Sequence, residues 1–282
     1  MKPLHRTLLA AALLAAAPLL LAEVTESSIG KQLEKLRSLA PDKRPAATLQ
    51  LALDIRALPA GMARLKLADA LCHLSTEGDA GADTLQAVAD TLAKSLADSP
   101  MPAKGDKPPM PYLDLANLVR YDQVTATLVD PLFAKAQQQL ADQDAEVEKA
   151  DFTLKDLHGK KWTLSELRGK IVMVNFWATW CAPCRLEMGE LDRLYTFFEP
   201  QGLVILSITD EDGFKVNSFL GGSTYHPPIL LDPGGSVHKL FHIEGIPRTF
   251  LFNRDGKLLS VAIDQRTLRQ FLAMLQKTDL HN

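Results

Sequence analysis

A short apolar run, Ile171 to Phe176, leads within five residues to Cys181-Ala182-Pro183-Cys184, and a stretch of helical character follows to Phe198. An apolar segment of that length reads as a buried strand, and a Cys-x-x-Cys pair between such a strand and a helix is the setting in which the pair is redox-active. The placement has a physical cause. The start of a helix carries unpaired backbone N–H groups and the positive end of the dipole, so Cys181 there gains thiolate character relative to a free cysteine. Cys184 lies in the first turn on the same face and is the more enclosed of the two. The expected roles follow: Cys181 attacks a substrate disulfide, and Cys184 resolves the mixed disulfide. Pro183 suits the first turn, where its missing N–H removes no bond. Trp177 and Trp180 are candidates to shield one side of the sulfurs, Trp180 the stronger of the two.

Half of a zinc site would need further ligands. No second Cys pair exists, and His158, His226, His238 and His242 lack matching ligand spacing; His238 and His242, four apart, could share a helix face but read as surface residues. A purely structural bridge across so small a loop would add little chain-entropy stabilisation. No metal is expected, and no cofactor beyond the Cys181–Cys184 disulfide itself.

The residues around the pair alternate between strand and helix signals. Phe152 to Leu154 and Trp162 to Leu164 flank a Gly159 turn as a hairpin, and Thr163 and Glu166 have capping-box spacing for a short helix ended by Gly169. Leu203 to Ile208 and Ile229 to Leu231 read as strands, with a helix around Phe214 to Leu220 between them. Arg248 to Phe252 and Leu258 to Ile263 form a hairpin across Asp255-Gly256, and Gln265 to Lys277 an amphipathic helix. This order predicts an α/β fold over residues 149–282, a mixed central sheet with helices on both faces.

Upstream the pattern is helical only. Apolar residues recur at helical spacing through Ile29 to Leu39, Leu49 to Leu58, Leu65 to Leu71 and Leu85 to Leu96, broken at Pro41, Pro45, Pro59 to Gly61 and Gly78 to Gly81. Residues 23–148 are therefore expected as an all-α domain of three or four short antiparallel helices, a Pro-rich linker or surface loop over 99–111, and further helix from Tyr112. Its last helix, Pro131 to Glu148, is polar at Gln137 to Gln139 and acidic at its end, and reads as a solvated spacer. Cys72, inside an apolar helical stretch, reads as a small buried hydrophobe.

Residues 1–22 look like an export signal. Lys2, His5 and Arg6 precede the apolar run Leu8 to Leu21, and Ala22 precedes Glu23. Cleavage after Ala22 is the preferred reading; the alternative is an uncleaved anchor, because Leu20 is a poor match to the small residue wanted there. Either way a periplasmic or otherwise extracytoplasmic location is expected. A net charge of −3 gives no electrostatic reason to expect nucleic acid or an anionic membrane as partner.

Val174-Asn175-Phe176-Trp177-Ala178-Thr179-Trp180-Cys181-Ala182-Pro183-Cys184-Arg185, with Gly245-Ile246-Pro247-Arg248-Thr249-Phe250 some sixty residues later, resembles the thioredoxin superfamily, in particular its exported TlpA/ResA-type branch. The resemblance spans about Asp151 to Asn282 and implies a thioredoxin-like fold. It also implies a cis Ile246-Pro247 bond packed against the Cys pair, with Ile246 and Pro247 binding an extended substrate segment. Asp156 to Arg168 and the insertion around Ser207 to His226 resemble the same branch. Thioredoxin itself carries a buried Asp beneath the pair, where this chain has Asn175, which cannot take a proton from the resolving thiol. Glu187, three residues after Cys184 beside Met188, Leu191 and Tyr195, is the expected substitute, since that branch has an acidic residue there. Partial burial would raise its pKa towards a range useful for proton transfer.

The resemblance implies a reductase of disulfides in exported proteins, for example in cytochrome c maturation, recharged by a membrane electron donor. The alternatives are an oxidase or isomerase that uses the helical domain for dimerisation or client binding and, more remotely, a thiol peroxidase, whose lone-Cys arrangement Thr179-Trp180-Cys181 does not match. Residues 23–148 resemble no family.

Overall fold

Helices come first and strands after. In the computed structural model, which describes residues 25–103 and 105–280, six helices precede the first strand: α1 (Glu26–Leu36), α2 (Arg44–Ala57), α3 (Met62–Ser75), α4 (Ala82–Asp98), α5 (Met110–Tyr121) and α6 (Pro131–Lys149). The expected export signal lies outside the described residues. Among the described residues no helix is long and apolar enough to cross a membrane.

The helix starts are encoded locally. Thr25 and Ser28 cap α1 reciprocally, Asp130 accepts the Leu132 N–H ahead of α6, and Pro45, Pro111 and Pro131 occupy first turns. Ile29, Leu51, Ile55, Leu71, Leu92 and Tyr112 are among the residues buried in one shared core. Two expectations need correction. The Pro-rich segment 99–111 is a loop whose final residues already open α5, because α5 and α6 insert Leu115, Phe133 and Leu140 into the same core as α1 to α4. For the same reason α6 is no solvated spacer. Asp144 accepts from Arg120 and Tyr121 of α5, Glu146 bonds His242, and near the helix end Val147 packs into the core of the following sheet.

The sheet contains β1 (Thr153–Asp156), β2 (Lys161–Thr163), β3 (Ile171–Phe176), β4 (Leu203–Thr209), β5 (Ile229–Leu231), β6 (Arg248–Phe252) and β7 (Leu258–Ile263) in the order β2-β1-β5-β4-β3-β6-β7. The pairs β3–β4 and β4–β5 are parallel and the rest antiparallel, so the sheet is mixed. Four helices accompany it: α7 (Ala182–Phe198), α8 (Gly213–Leu220), α9 (Ser236–Leu240) and α10 (Leu268–Leu275). Successive β3 side chains point to opposite faces. Ile171 and Met173 meet Leu191 of α7 and Phe271 of α10, while Val172, Val174 and Phe176 meet Phe241, just after α9. The expected thioredoxin-like α/β fold, covered on both faces and preceded by helices, is the observed one. In the β6–β7 turn Gly256 has φ +76°, a left-handed backbone that favours glycine, and the Arg168 guanidinium lies against it.

Two local readings fail for traceable reasons. The Thr163/Glu166 capping box does not form: the Thr163 hydroxyl pairs with that of Thr153 across the hairpin, and Asp151 takes the Ser165 N–H and hydroxyl. The last helix starts at Leu268, behind a Thr267/Gln270 capping box, and not at Gln265. Asp264 has φ +58°, and residues 264–266 are held as a loop by the helical region.

Candidate active site

At the carboxyl end of β3 the chain leaves the sheet through Trp177, Ala178 and Thr179 and enters α7 with Cys181 as its N-cap. Cys181 and Cys184 form a disulfide with Cα atoms 5.3 Å apart. The Cys181 Sγ accepts the Cys184 N–H at 3.2 Å, one of the donors a helix start leaves unpaired. On its other side Cys181 Sγ lies 3.7 Å from the Ile246 carbonyl oxygen, and the Ile246-Pro247 bond is cis. The topology accounts for this meeting: β6, which follows Pro247, lies antiparallel to β3, so the start of one strand adjoins the end of the other.

Both sulfurs are enclosed. Cys181 is 4% exposed and Cys184 1%, packed with Trp177, Met188, Val216 and Ile229. Trp177 is thus a core residue, its ring 5.8 Å from that of Phe219, and does not screen the sulfurs from outside. Trp180 stands 68% exposed next to Cys181, and Pro183 is half-buried in the first turn of α7. Sequence reasoning missed Glu211. Its carboxylate accepts the Thr179 N–H at 2.6 Å and the Thr179 hydroxyl at 2.9 Å, which fixes the turn leading into Cys181. Burial pushes the Glu211 carboxyl up, but the bonds from Lys215 and Thr179 outweigh that and hold it below the usual range. Only its position just past the end of β4, the neighbour of β3, could have signalled this role.

Glu187 is completely buried, more so than expected. Its Oε1 accepts the Asn175 side-chain N–H at 3.1 Å and lies 3.4 Å from the Thr249 hydroxyl; its Oε2 accepts the Arg266 backbone N–H at 2.8 Å. Asn175 in turn donates to Thr249. Among the described residues no lysine or arginine side chain pairs with this carboxyl directly. Burial therefore pushes its pKa up to about 8, against the Arg266 N–H, the Arg266 charge and the Thr249 hydroxyl, which pull it down.

The loop that supplies that N–H rests on the helical region. Arg266 forms a buried ion pair with Asp122 at 2.7 Å, just after α5. Beside it, a cavity of about 220 Å³ is lined by Cys72, His73, Asp114, Gly245, Pro247 and Asp264, among others. Cys72 is free and buried, as expected, and burial holds its thiol well above the ordinary range. Three histidines near the sheet are engaged singly: His226 with Asp192, His238 with Asp232, His242 with Glu146. His238 is largely buried against Phe176, and α9 ends before His242, so neither the shared helix face nor the surface position expected for His238 is found. Among the described residues one three-donor group, Asp69, His73 and Asp114, lies in the helical region. His73 Nε2 is 3.2 Å from Asp114 Oδ2 there, and burial with the neighbouring Asp114 pushes Asp69 up to about 7.

A cysteine pair at a helix start, faced by the Ile246-Pro247 loop on a mixed sheet, defines a thioredoxin-fold disulfide oxidoreductase. The AhpC/TSA family model matches residues 139–261. The thiol-disulfide oxidoreductase ResA of Bacillus cereus is 34% identical over 131 residues, 46% of this chain and 76% of the relative. The ResA of Bacillus subtilis is 35% identical over 118 residues, 42% and 66% of the two chains. Among solved structures, StoA from Bacillus subtilis is 25% identical with a TM-score of 0.40, covering 44% of this chain and 96% of its own. Through its C-terminal part the chain belongs to the ResA-type thiol-disulfide oxidoreductases. It is an enzyme of that reaction class.

Proposed function

We propose that this protein reduces disulfides in exported proteins from an extracytoplasmic location, with apocytochrome c before haem attachment as one class of client. The observation that carries the reading is the setting of Cys181 Sγ, between the N–H of Cys184 and the carbonyl of Ile246 ahead of the cis-proline. In the reduced enzyme that N–H and the helix dipole stabilise a Cys181 thiolate. The thiolate attacks one sulfur of a client disulfide, a Cys181–client bond forms, and the other client sulfur leaves as a thiolate that takes up a proton. Cys184 then loses its proton and attacks Cys181 Sγ, releasing the second client thiol and forming the Cys181–Cys184 disulfide.

Glu187, one turn beyond Cys184 on α7, receives the Cys184 proton in this scheme. A carboxyl with a pKa of about 8 exchanges protons near neutral pH, where an ordinary carboxylate is too weak a base. Trp180, Pro183, Ile246 and Pro247 form the client-binding rim. Trp180 supplies an exposed apolar face, and the backbone at Ile246 pairs with an extended segment. A membrane-bound dithiol donor returns the two electrons. The apolar N-terminal run of the sequence, cleaved or retained, supports the location. Division of the chain into a helical domain, 23–148, and a redox domain, 149–282, is part of this reading, supported by their largely separate cores, and the helical domain is a candidate dimerisation surface.

Trapping tests the proposal. Cys184→Ser should stall at a mixed disulfide through Cys181 that survives non-reducing electrophoresis, and exported cysteine proteins should be recovered from it. Recovery of no disulfide-linked client, or a reduced wild-type enzyme unable to cleave any protein disulfide, would overturn the reading.

A further inference from the structure

We propose that the helical region acts as a positioning element for the redox site, setting the protonation of Glu187 through the loop Asp264-Gln265-Arg266. The inference rests on the reading of Glu187 as the proton acceptor for Cys184, and it assigns a task to helices for which the sequence suggests none.

The loop is held from the helical side at successive residues. The Thr76 hydroxyl at the end of α3 bonds the Asp264 carboxylate. Gly78 N–H donates to the Gln265 carbonyl at 3.1 Å, and Gln270 returns a bond to the Gly78 carbonyl at 3.2 Å. Asp122 takes the Arg266 guanidinium at 2.7 Å, both side chains nearly inaccessible to water. Asp79 binds Arg269 at 2.7 Å. Facing inward, the same loop gives its Arg266 N–H to Glu187. A loop with a left-handed Asp264 and no strand or helix ladder of its own keeps that geometry only because its neighbours hold it.

The clamp is also electrical. Around Glu187 the charged or titratable groups are Arg266 and Asp264 from this loop, Tyr225 from the segment after α8, and the Cys181/Cys184 pair on its own helix. Arg266 favours the Glu187 carboxylate and Asp264 opposes it. Asp122 neutralises Arg266 from behind, so the field Arg266 exerts on Glu187 is set by a residue of the helical region. Asp122 and Thr76 touch no reacting atom; they act through Arg266 and Asp264.

The pH profile of client-disulfide reduction by the full-length reduced protein tests this. Asp122→Asn leaves Arg266 a hydrogen-bond acceptor but removes its counter-charge, so the Arg266 field at Glu187 strengthens and the Glu187 pKa falls. The profile midpoint should move down by roughly half a unit to one unit. Asp264→Asn, a residue that tolerates the left-handed backbone, removes an opposing charge and should move it the same way. Neither shift should survive in a Glu187→Gln background. A midpoint unmoved in both single variants, while Glu187→Gln alone removes the inflection, would overturn the coupling and leave the role of Glu187 intact. An inflection that persists in Glu187→Gln would remove the role of Glu187 and this inference with it. If Asp122→Asn does not fold, Thr76→Val, which takes the helical region's hydroxyl from the Asp264 carboxylate, decides in its place by the same shift.

Discussion

The helical and sheet regions bury charge in opposite ways. In the helical region the buried guanidinium of Arg64 reaches Asp98 directly, and the buried Asp114 carboxylate pairs with His73. In the sheet region Glu187 is buried with an amide, a hydroxyl and a backbone N–H, while the nearest guanidinium, Arg266, is turned to Asp122. A paired buried charge is a structural device, and removing one partner damages the fold. A buried carboxyl without a direct counter-charge prefers to hold a proton, which is the property proton transfer requires. The difference teaches where chemistry and where architecture resides. It can be attacked residue by residue.

Cys181→Ser carries the largest expected effect. With the nucleophile gone, reduction of protein disulfides should fall to the uncatalysed rate, while thermal unfolding shows the helical region intact; residual turnover through Cys184 alone would reverse the assigned roles. Glu187→Gln comes next. Protein-disulfide reduction should slow by about a hundredfold near pH 7, and stability should change in the opposite sense. Because the folded protein holds this proton up to about pH 8, whereas the unfolded chain releases it near 4.5, its contribution is complete below pH 4.5 and is lost as pH rises towards 8. Each unit of that interval is worth about 1.4 kcal/mol. Urea unfolding of the wild type at pH 5 and pH 8 should show this loss, and Glu187→Gln should abolish it. Equal pH dependence in both proteins would mean that Glu187 titrates normally.

What could be read beforehand follows the same division. The strand, Cys-x-x-Cys and helix succession, the Gly-Ile-Pro segment and the Asp-Gly hairpin are local signals with few alternative meanings, and the fold and both sulfurs follow from them. Glu187 was legible as a residue three positions beyond Cys184, but its full burial was not, since that depends on Asn175, Thr249 and Arg266, far apart in sequence. Glu211 and Asp122 were invisible for the same reason: each acts on a segment more than thirty residues away. The late start of α10 shows a local pattern overruled by tertiary contacts, because Gln265 and Arg266 could continue a helix but are needed as a loop against Gly78 and Asp122.

Arg64→Ala sharpens the comparison from the architectural side. It removes one partner of the Arg64–Asp98 pair, with Arg64 3% exposed and Asp98 partly exposed, and should lower stability in urea unfolding. Protein-disulfide reduction per folded molecule should remain as in the wild type. A comparable loss of activity would mean that the helical core communicates with the sulfurs by a route other than the loop at Arg266.

The smallest effect is expected at His73. Its bond to Asp114 raises its pKa to about 9 against the cost of burial, with the charges of Asp114 and Asp69 adding to the rise. A histidine raised in the folded state contributes stability that is complete below its unfolded pKa, near 6.5, and is lost as pH rises through 9. The ring is more than half exposed, so solvent screens the interaction and the loss should be small. His73→Gln should therefore melt slightly below the wild type at pH 6 and level with it at pH 10. That pattern runs parallel to the Glu187 trend at higher pH but has an unrelated cause: there a proton keeps a buried carboxyl neutral, here a proton makes an ion pair. Thermal melts of His73→Gln, Glu187→Gln and the double variant should show independent contributions, since the two groups answer to different partners. Strong non-additivity would mean that the cavity between α3 and the Pro247 loop couples them.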